Sequence, residues 1–552
     1  MKPRILYCGE YHKLNTGYAV YGRELLKRLY ATGEFEVAEL ASYVEPEDLS
    51  NSPWKVYPVI PKKGTELRKQ YNPSSPDQFG AGMFDRVCID FKPTCVLDIR
   101  DFWMFEHQHS SPARPYFNWA IMPTVDSTPQ HEQWLSVYSD ADAVFTYQDW
   151  SLNILNHEGG GLIKTVCSAP PAADEIFYPI SIEDRADLKK HVGLGDKLVI
   201  GTVMRNQRRK LFPDLFKALS ILIKEYGRDD VVLYCHTSYP DMGWDLPKYL
   251  NEHGVMNKVY FTYVCQNKEC RNVFPALFND SLTICPKCNM NTAAVASTQN
   301  GVSNEQLCQI YNMFDLYVQY SNSEGFGMPQ VEAAACGVPV CGINFSAMED
   351  ILEKLGGMKI RPLCLSDELE TGCKRAIACN TIAADTFYDF LSKSEDERNT
   401  KRFQTRMKFE EHYASWDKTA SSWINKIREF NHEEKAKMWS RPAKYHVPST
   451  KIPERCSNAE YSKFLIADVL GQPELLNTHM EARLIRDLNY GCSIVGMGGM
   501  YFNEMGAAFS KPNYTEFNRK LAYEHMEALC NRRNSWEKAR YESIVRSSLP
   551  RG

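Results

Sequence analysis

The 552-residue chain has no uninterrupted apolar run near the ~18 residues a membrane span needs, so no transmembrane helix is expected. Its first residues, MKPRILYCGEYHKLNTGY, lack an apolar core and a cleavage site. That argues against a secretory leader and for a cytoplasmic protein, or one of the host cytoplasm if the source is viral. A basic excess is missing too: 64 Lys and Arg stand against 69 Asp and Glu, for a net charge of −5. Bulk attraction to nucleic acid or membrane is thereby excluded, while a local basic patch is not. There is no low-complexity segment and no short-period repeat. The composition, 43% hydrophobic and 24% charged, is that of a globular protein. A convincing Asp-x-Asp metal motif is absent, since Asp140-Ala-Asp142 falls at a helix end before a strand. Cysteine is plentiful at 18 residues, scattered apart from one group, and in a cytoplasmic chain reads as thiols or metal ligands, not a disulfide framework.

A chain this long exceeds one core and predicts two or three domains. RILYC, the loop GEYHKLNTGY and the amphipathic run AVYGRELLKRLYATG, stopped by Gly33, read as strand, loop and helix. TCVLDI, FNWAIMPTVD and ADAVFTY continue the strands, with QDWSLNILNHEGG as a helix. After the proline-rich 168–182, a second series begins at KLVIGTV (197–203) and runs through VVLYCH, KVYFTYV, the helix NEQLCQIYNMF and LYVQY. Strands alternating with helices predict an α/β protein with two parallel-sheet domains, 1–180 and 181–430. The helical stretch 412–430 is expected to close the second. Residues 431–455, charged and proline-containing, read as a linker, and 456–552 as a mostly helical extension without a recognised role.

The most informative stretch is EGFGMPQVEAAACGVPV (324–340). It follows the buried strand LYVQY; Pro329 suits the first turn of a helix and Gly337 its stop. Ligands in open α/β sheets sit at the carboxyl ends of strands, and a helix N-terminus there offers free N–H groups to an anion. Gly325 and Gly327 permit close backbone approach. Glu324 in the loop and Glu332 one turn into the helix supply carboxylates on either side of that cradle. A ligand with hydroxyls on both sides of a diphosphate, a nucleotide sugar, fits. The bland alternative is a helix with two solvated glutamates.

This string resembles the signature EGFGxPxxEAxAxGxPV of the retaining, nucleotide-sugar-dependent glycosyltransferases of the GT-B fold, of the family-4-like type. The resemblance covers roughly 1–430. It implies two Rossmann-like domains facing a cleft, with the acceptor on the first and the donor, most often a UDP-sugar, on the second. It implies that Glu324 contacts the donor sugar and Glu332 the ribose, with Gly325, Phe326, Gly327 and Met328 lining sugar and diphosphate. In GTVMRNQRRKLFPDL (201–215), Arg205 and Lys210 match the cations that hold the phosphates, so no catalytic divalent metal is expected; Arg208 and Arg209 read as solvated. Gly17, in LNTGYAVYGREL, matches the glycine of the first loop, and Asp174, Phe177 and Pro179 match the hinge. One departure stands out. Where many relatives carry a histidine before an aspartate, MPTVDSTP (122–129) has Asp126 alone. Asp126 is a candidate to orient the acceptor hydroxyl, or an ordinary turn or cap residue.

Three further features bear on the acceptor. The stretch DIRDFWMFEHQHSSPARPYFNW (98–119) is dense in aromatics and places Trp103, His107 and His109 on the acceptor side, where rings stack on a sugar or a base; a loop packed by its own aromatics is the alternative. Cys265, Cys270, Cys285 and Cys288 read C-x4-C-x14-C-x2-C, the spacing of a structural Cys₄ zinc ribbon, inserted at about 262–295 with RNVFPALFNDSLTI as a hairpin. The ribbon is expected to shape substrate access. The C-terminal tail is locally basic, with Arg532, Arg533, Lys538, Arg540, Arg546 and Arg551, and the nearby GCSIVGMGGMYFNEMG (491–506) is no dinucleotide fingerprint. Together these favour a hydroxymethylated pyrimidine in DNA as acceptor, as in the base-modifying glycosyltransferases of phages. A glycan, a lipid-linked saccharide or a small metabolite is the alternative, and a non-catalytic nucleotide-sugar or nucleic-acid binding protein a further one.

Overall fold

The computed structural model describes residues 2–279, 281–297, 299–453, 455–476, 478–490 and 515–548. The glycine-rich 491–506 and Arg551 lie outside them. Seven strands form the first sheet: β1 (Arg4–Glu10), β2 (Glu36–Ser42), β3 (Lys55–Pro58), β4 (Cys95–Asp98), β5 (Asn118–Ile121), β6 (Ala143–Thr146) and β7 (Thr165–Ser168). All pairs are parallel, in the order β3-β2-β1-β4-β5-β6-β7. Ile5 to Cys8 of β1 are fully buried, as expected of a strand covered on both faces. The helix Gly17–Ala31 starts where the Thr16 side chain accepts from the Ala19 amide and buries Leu25, Leu26 and Leu29.

The second sheet contains β8 (Leu198–Val203), β9 (Val231–His236), β10 (Val259–Cys265), β11 (Val273–Leu277), β12 (Thr283–Ile284), β13 (Asn291–Val295), β14 (Leu316–Gln319), β15 (Val340–Ile343) and β16 (Met358–Ile360). Its parallel part runs β10-β9-β8-β14-β15-β16. Both sheets thus reverse direction beside their first strand, at β1/β4 and at β8/β14. Such a reversal splays the connecting helices to opposite faces and opens a crevice at the strand ends. The antiparallel strands β11, β12 and β13 extend β10 outward. The segment RNVFPALFNDSLTI is not itself the expected hairpin: β11 pairs with β10 and β12 with β13.

Two helices differ from the sequence reading. The helix Trp416–Glu429 crosses to the first half instead of closing the second. Trp423 stacks on Phe145 with ring centroids 4.0 Å apart and donates its Nε1–H to the Tyr21 hydroxyl at 3.0 Å. The stripe Ala420, Trp423, Ile424 and Ile427 is buried there. The expected linker begins as a helix, His432–Trp439, because Trp439 finds a pocket: it is buried, its Nε1–H reaches Pro93 O at 2.8 Å, and it meets the rings of Tyr116 and Trp536.

The C-terminal helix Thr515–Ser548 packs on the segment 458–470 and on the first half. Its basic residues are not one free patch. Arg540 is fully buried, bonded to Glu537 at 2.6 Å and to the carbonyls of Trp439 and Arg441, while Tyr116 donates to the same Glu537. Arg532 pairs with Asp85 at 2.8 Å. Arg540→Ala would take the counter-ion from Glu537 and the donor from the carbonyls of Trp439, Arg441 and Pro442, and is expected to cost about 3–5 kcal/mol of the docking of this helix. A thermal-shift scan checks it: the first transition falls by several degrees, and an unchanged transition would contradict the packing. Among the described residues, no helix is long and apolar enough to cross a membrane.

Candidate active site

A cavity of about 720 Å³ lies between the two sheets at their switch points, lined from both halves. Its second-half wall is built by the loop after β14. Ser321 forms a bridge to Lys210, the Asn322 amide donates to Arg209 O at 2.9 Å, and the Leu211 amide to Tyr320 O at 2.9 Å. The basic loop after β8 is thereby clamped alongside the Glu-Gly-Phe-Gly turn. Trp244 holds the Lys210 carbonyl from behind at 2.8 Å.

Glu324 and Lys210 form a buried ion pair, their side chains 5% and 8% exposed. Gln319 and Ser321 each donate to the same Glu324 oxygen at 2.7 Å, and Arg209 Nε stands 4.0 Å from the other. Burial alone would raise the Glu324 carboxyl, but Lys210 and Arg209 outweigh it and hold it below the usual carboxylate range. Burial pulls the Lys210 ammonium down against the attraction of Glu324. Arg205 lines the cavity half-exposed and is gripped by Asp241 at 2.9 and 3.1 Å, which drives the Asp241 carboxyl down to about 2.

The helix Met328–Ala335 starts at Gly327, whose φ of 93° is left-handed, with Pro329 in its first turn and no side-chain cap. The positive end of the helix therefore faces the cavity, although Pro329 carries no N–H and the Gln330 amide donates back to Gly327 O at 3.2 Å. Gly325 is required by proximity: a Cβ there would stand 2.3 Å from Thr124 of the first half. Glu332 also lines the cavity, accepts from the Tyr311 hydroxyl at 2.7 Å, and is pushed up to about 7 by burial.

From the first half come Gly17, where an added Cβ would meet open space, and Tyr18. The Tyr18 hydroxyl donates to Asp101 at 2.8 Å and lies 2.9 Å from the Thr124 hydroxyl. Burial pushes the Asp101 carboxyl up. The structure thus brings Gly17, Arg205, Lys210, Glu324, Gly325, Phe326, Gly327, Met328 and Glu332 to one cavity. It adds Arg209, which the sequence reading left in solvent, together with Tyr18 and Thr124.

Four expected residues stand outside the cavity lining. Asp126 is neither a helix cap nor a cavity residue. It pairs with Arg375 at 3.0 Å, and Arg375 in turn donates to Ser323 of the motif loop at 2.7 Å and binds Glu368 at 2.9 Å. Asp126 therefore ties the two halves together beside the turn. Trp103 sits 56% exposed on a helix, Phe102–His109, that replaces the expected loop. His107 is buried edge-on against Phe84, with burial pulling its pKa down, and His109 bonds Asp140 at 2.9 Å. Phe105, Phe117 and Trp119 are core residues. A dense aromatic stretch after a strand buries itself wherever a sheet face is within reach.

The four cysteines converge. All four sulfurs lie within 4.8 Å of one another, with Cys265–Cys288 and Cys270–Cys285 each at 3.7 Å. Zinc–sulfur bonds of about 2.3 Å place tetrahedral thiolates about 3.8 Å apart, so the set fits a closed Cys₄ zinc.

Residues 293–377 match the family model of glycosyl transferases, group 1. The fold is similar to that of a sucrose-phosphate synthase from Thermosynechococcus elongatus, with a TM-score of 0.57 and 15% identity over 78% of this chain and 99% of that one. It is also similar to Anabaena HepE solved with UDP and glucose (0.53, 12%, 78% and 100%) and to a glycosyltransferase from Rickettsia africae (0.52, 14%, 79% and 99%). No curated protein matches the sequence. The fold is GT-B, and with the matched segment it defines a glycosyltransferase.

Proposed function

We propose that the protein transfers a sugar from a nucleoside-diphosphate donor, a UDP-sugar, to an acceptor hydroxyl with retention at the anomeric carbon. One observation carries this: the carboxylates of Glu324 and Glu332, the cations of Arg205, Arg209 and Lys210, and an uncapped helix N-terminus face a single cavity at the switch points of both sheets. In this reading Lys210, Arg205 and Arg209 stabilise the charge that develops on the departing diphosphate, which is where fixed cations accelerate most. Glu324 orients the sugar and Glu332 accepts from the ribose hydroxyls. The acceptor oxygen bonds to the anomeric carbon as the carbon–phosphate-oxygen bond breaks. Its proton passes to the departing phosphate oxygen on the same face, so no protein nucleophile is needed. UDP as donor nucleotide draws support from the similar HepE structure, solved with UDP and glucose.

For the acceptor, the placements favour a small or chain-end hydroxyl entering beside Tyr18 and Thr124. The features that pointed to a hydroxymethylated pyrimidine in DNA are weakened: the aromatic stretch is core apart from the exposed Trp103, and Arg540 is buried. DNA stands as the alternative. Mass spectrometry of reactions with a panel of nucleotide sugars, with and without hydroxymethylcytosine DNA, decides. Consumption of a UDP-sugar without change to the DNA is expected. A sugar-sized mass gain on the nucleosides would establish the alternative, and a panel in which no donor is bound or consumed would overturn the reading.

A further inference from the structure

The cysteine cluster and the cavity are joined by one side chain. Arg271 follows Cys270 directly, in a left-handed conformation (φ 43°) at the β11 end of the β10–β11 turn. Its guanidinium donates to Asn300 Oδ1 at 2.5 Å and to Gly301 O at 3.3 Å. Ser297 and Asn300 bond each other twice: the Ser297 amide donates to Asn300 O at 3.2 Å, and the Asn300 amide donates to the Ser297 hydroxyl oxygen at 3.0 Å. Ala296, Ser297 and Gly301 line the cavity.

This wall lies next to Glu332. The helix Asn304–Asn312 follows it, and Leu307, which lines the cavity, shares a helix face with Tyr311, the donor to Glu332. A second path reaches the same wall through β10. The Ala296 amide donates to Thr262 O at 2.8 Å, the Thr262 hydroxyl lies 2.9 Å from His236 Nδ1, and Cys265 is three residues along the same strand. His236 and Thr237 both line the cavity, and the Thr237 hydroxyl is buried there with no partner among the described residues. A buried polar group left unpaired at a cavity wall has a hydrogen bond to offer a ligand or a water in that cavity.

We infer that the Cys₄ zinc knuckle is a positioning device for the nucleobase wall of the donor site, acting through Arg271 on the segment that holds Ser297, Asn300 and Gly301. It rests on Glu332 as the ribose ligand, since the wall lies beyond Glu332. Zinc fixes the knuckle, the knuckle fixes the Arg271 fork, and the fork sets a wall that would otherwise be an exposed loop. Arg271 is a positioning residue; the wall is what discriminates among bases.

The test compares wild-type holoprotein, Arg271→Ala, Arg271→Lys and chelator-stripped protein. Metal content is read by elemental mass spectrometry, the wall by amide hydrogen exchange, and discrimination by titration with uridine, guanosine and adenosine diphosphates. The expected result is one zinc per chain in wild type and both variants. Exchange at Ser297, Asn300 and Gly301 should rise in Arg271→Ala and in stripped protein. Loss of the two hydrogen bonds should weaken binding of the preferred diphosphate about tenfold and narrow its margin over the others. Arg271→Lys, with no planar fork, should recover only part. Wild type without zinc, or unchanged exchange in Arg271→Ala, overturns the inference. Faster exchange with wild-type nucleotide affinity and discrimination overturns the base-wall part. If wild type binds no nucleoside diphosphate, the donor reading itself fails, while the exchange data still score the clamp separately.

Discussion

Replacing Lys210 by Met is expected to destabilise the protein by about 3–5 kcal/mol and to abolish transfer, because it leaves a buried carboxylate without its counter-ion. Glu324 would keep Gln319 and Ser321 but lose Lys210, leaving Arg209, 4.0 Å away, as its remaining cation partner among the described residues. The double variant Lys210→Met/Glu324→Gln removes both charges, and most of the lost stability should return. Activity should not. If Lys210 stabilises the leaving diphosphate, the double variant lacks that cation and the carboxylate on the sugar, and kcat should fall by at least about 10²–10³ for the cation alone. Thermal denaturation and donor turnover on the same three proteins check it. A double variant that is stable and active would show that the pair is structural only.

The second large effect is on pH dependence. Glu332 is pushed up to about 7 by burial, so near neutrality half of it is protonated in the free protein. Only the carboxylate accepts from both hydroxyls of a ribose. Donor affinity should therefore rise with pH up to about 7 and level off above it. Below that range KM for the donor should climb toward about tenfold per pH unit, as linkage requires. Glu332→Gln should flatten the profile and raise KM about 10–100-fold at pH 8, the worth of a charge-assisted hydrogen bond pair. Tyr311→Phe removes a bond that favours the charged form, and should move the rising limb to higher pH. Folding stability carries the opposite sign. A carboxyl whose folded pKa is raised costs stability as pH climbs from the ordinary carboxylate range to about 7, so Glu332→Gln should raise the melting temperature at pH 8. A donor KM profile that is flat from pH 6 to 8 in wild type would contradict the role.

Much of this site is legible in the sequence because its punctuation is local. Glycine at 325 and 327, proline at 329 and the strand LYVQY leave little choice but strand, tight turn and helix, and the carboxylates follow by spacing. The cysteine pairs are legible for the same reason. What is not legible depends on packing at a distance. In RNQRRK the composition does not tell which side chains turn inward; the bridge between Lys210 and Ser321 decides that, and it brings Arg209 into the cavity as well. The stretch around His107 is dense in aromatics whether it stacks on a ligand or fills a core, and Phe84 from elsewhere, packed on both His107 and Phe117, makes it core. Helix Trp416–Glu429 has a clear apolar stripe, but the stripe does not name its partner, which turns out to be Tyr21 and Phe145 across the cleft. The sequence of Asp126 likewise reads as a site or a turn equally well, until Arg375 is seen to claim it.

Calorimetric titration of UDP into wild type, Glu332→Ala and the Lys210→Met/Glu324→Gln double variant asks whether this cavity is the donor site. The expected result is one saturable site per chain in wild type, weakened at least tenfold in each variant, since each loses a charge-assisted contact. UDP that fails to bind wild type, or binds all three proteins with the same affinity, would place the donor elsewhere and contradict the assignment of the cavity.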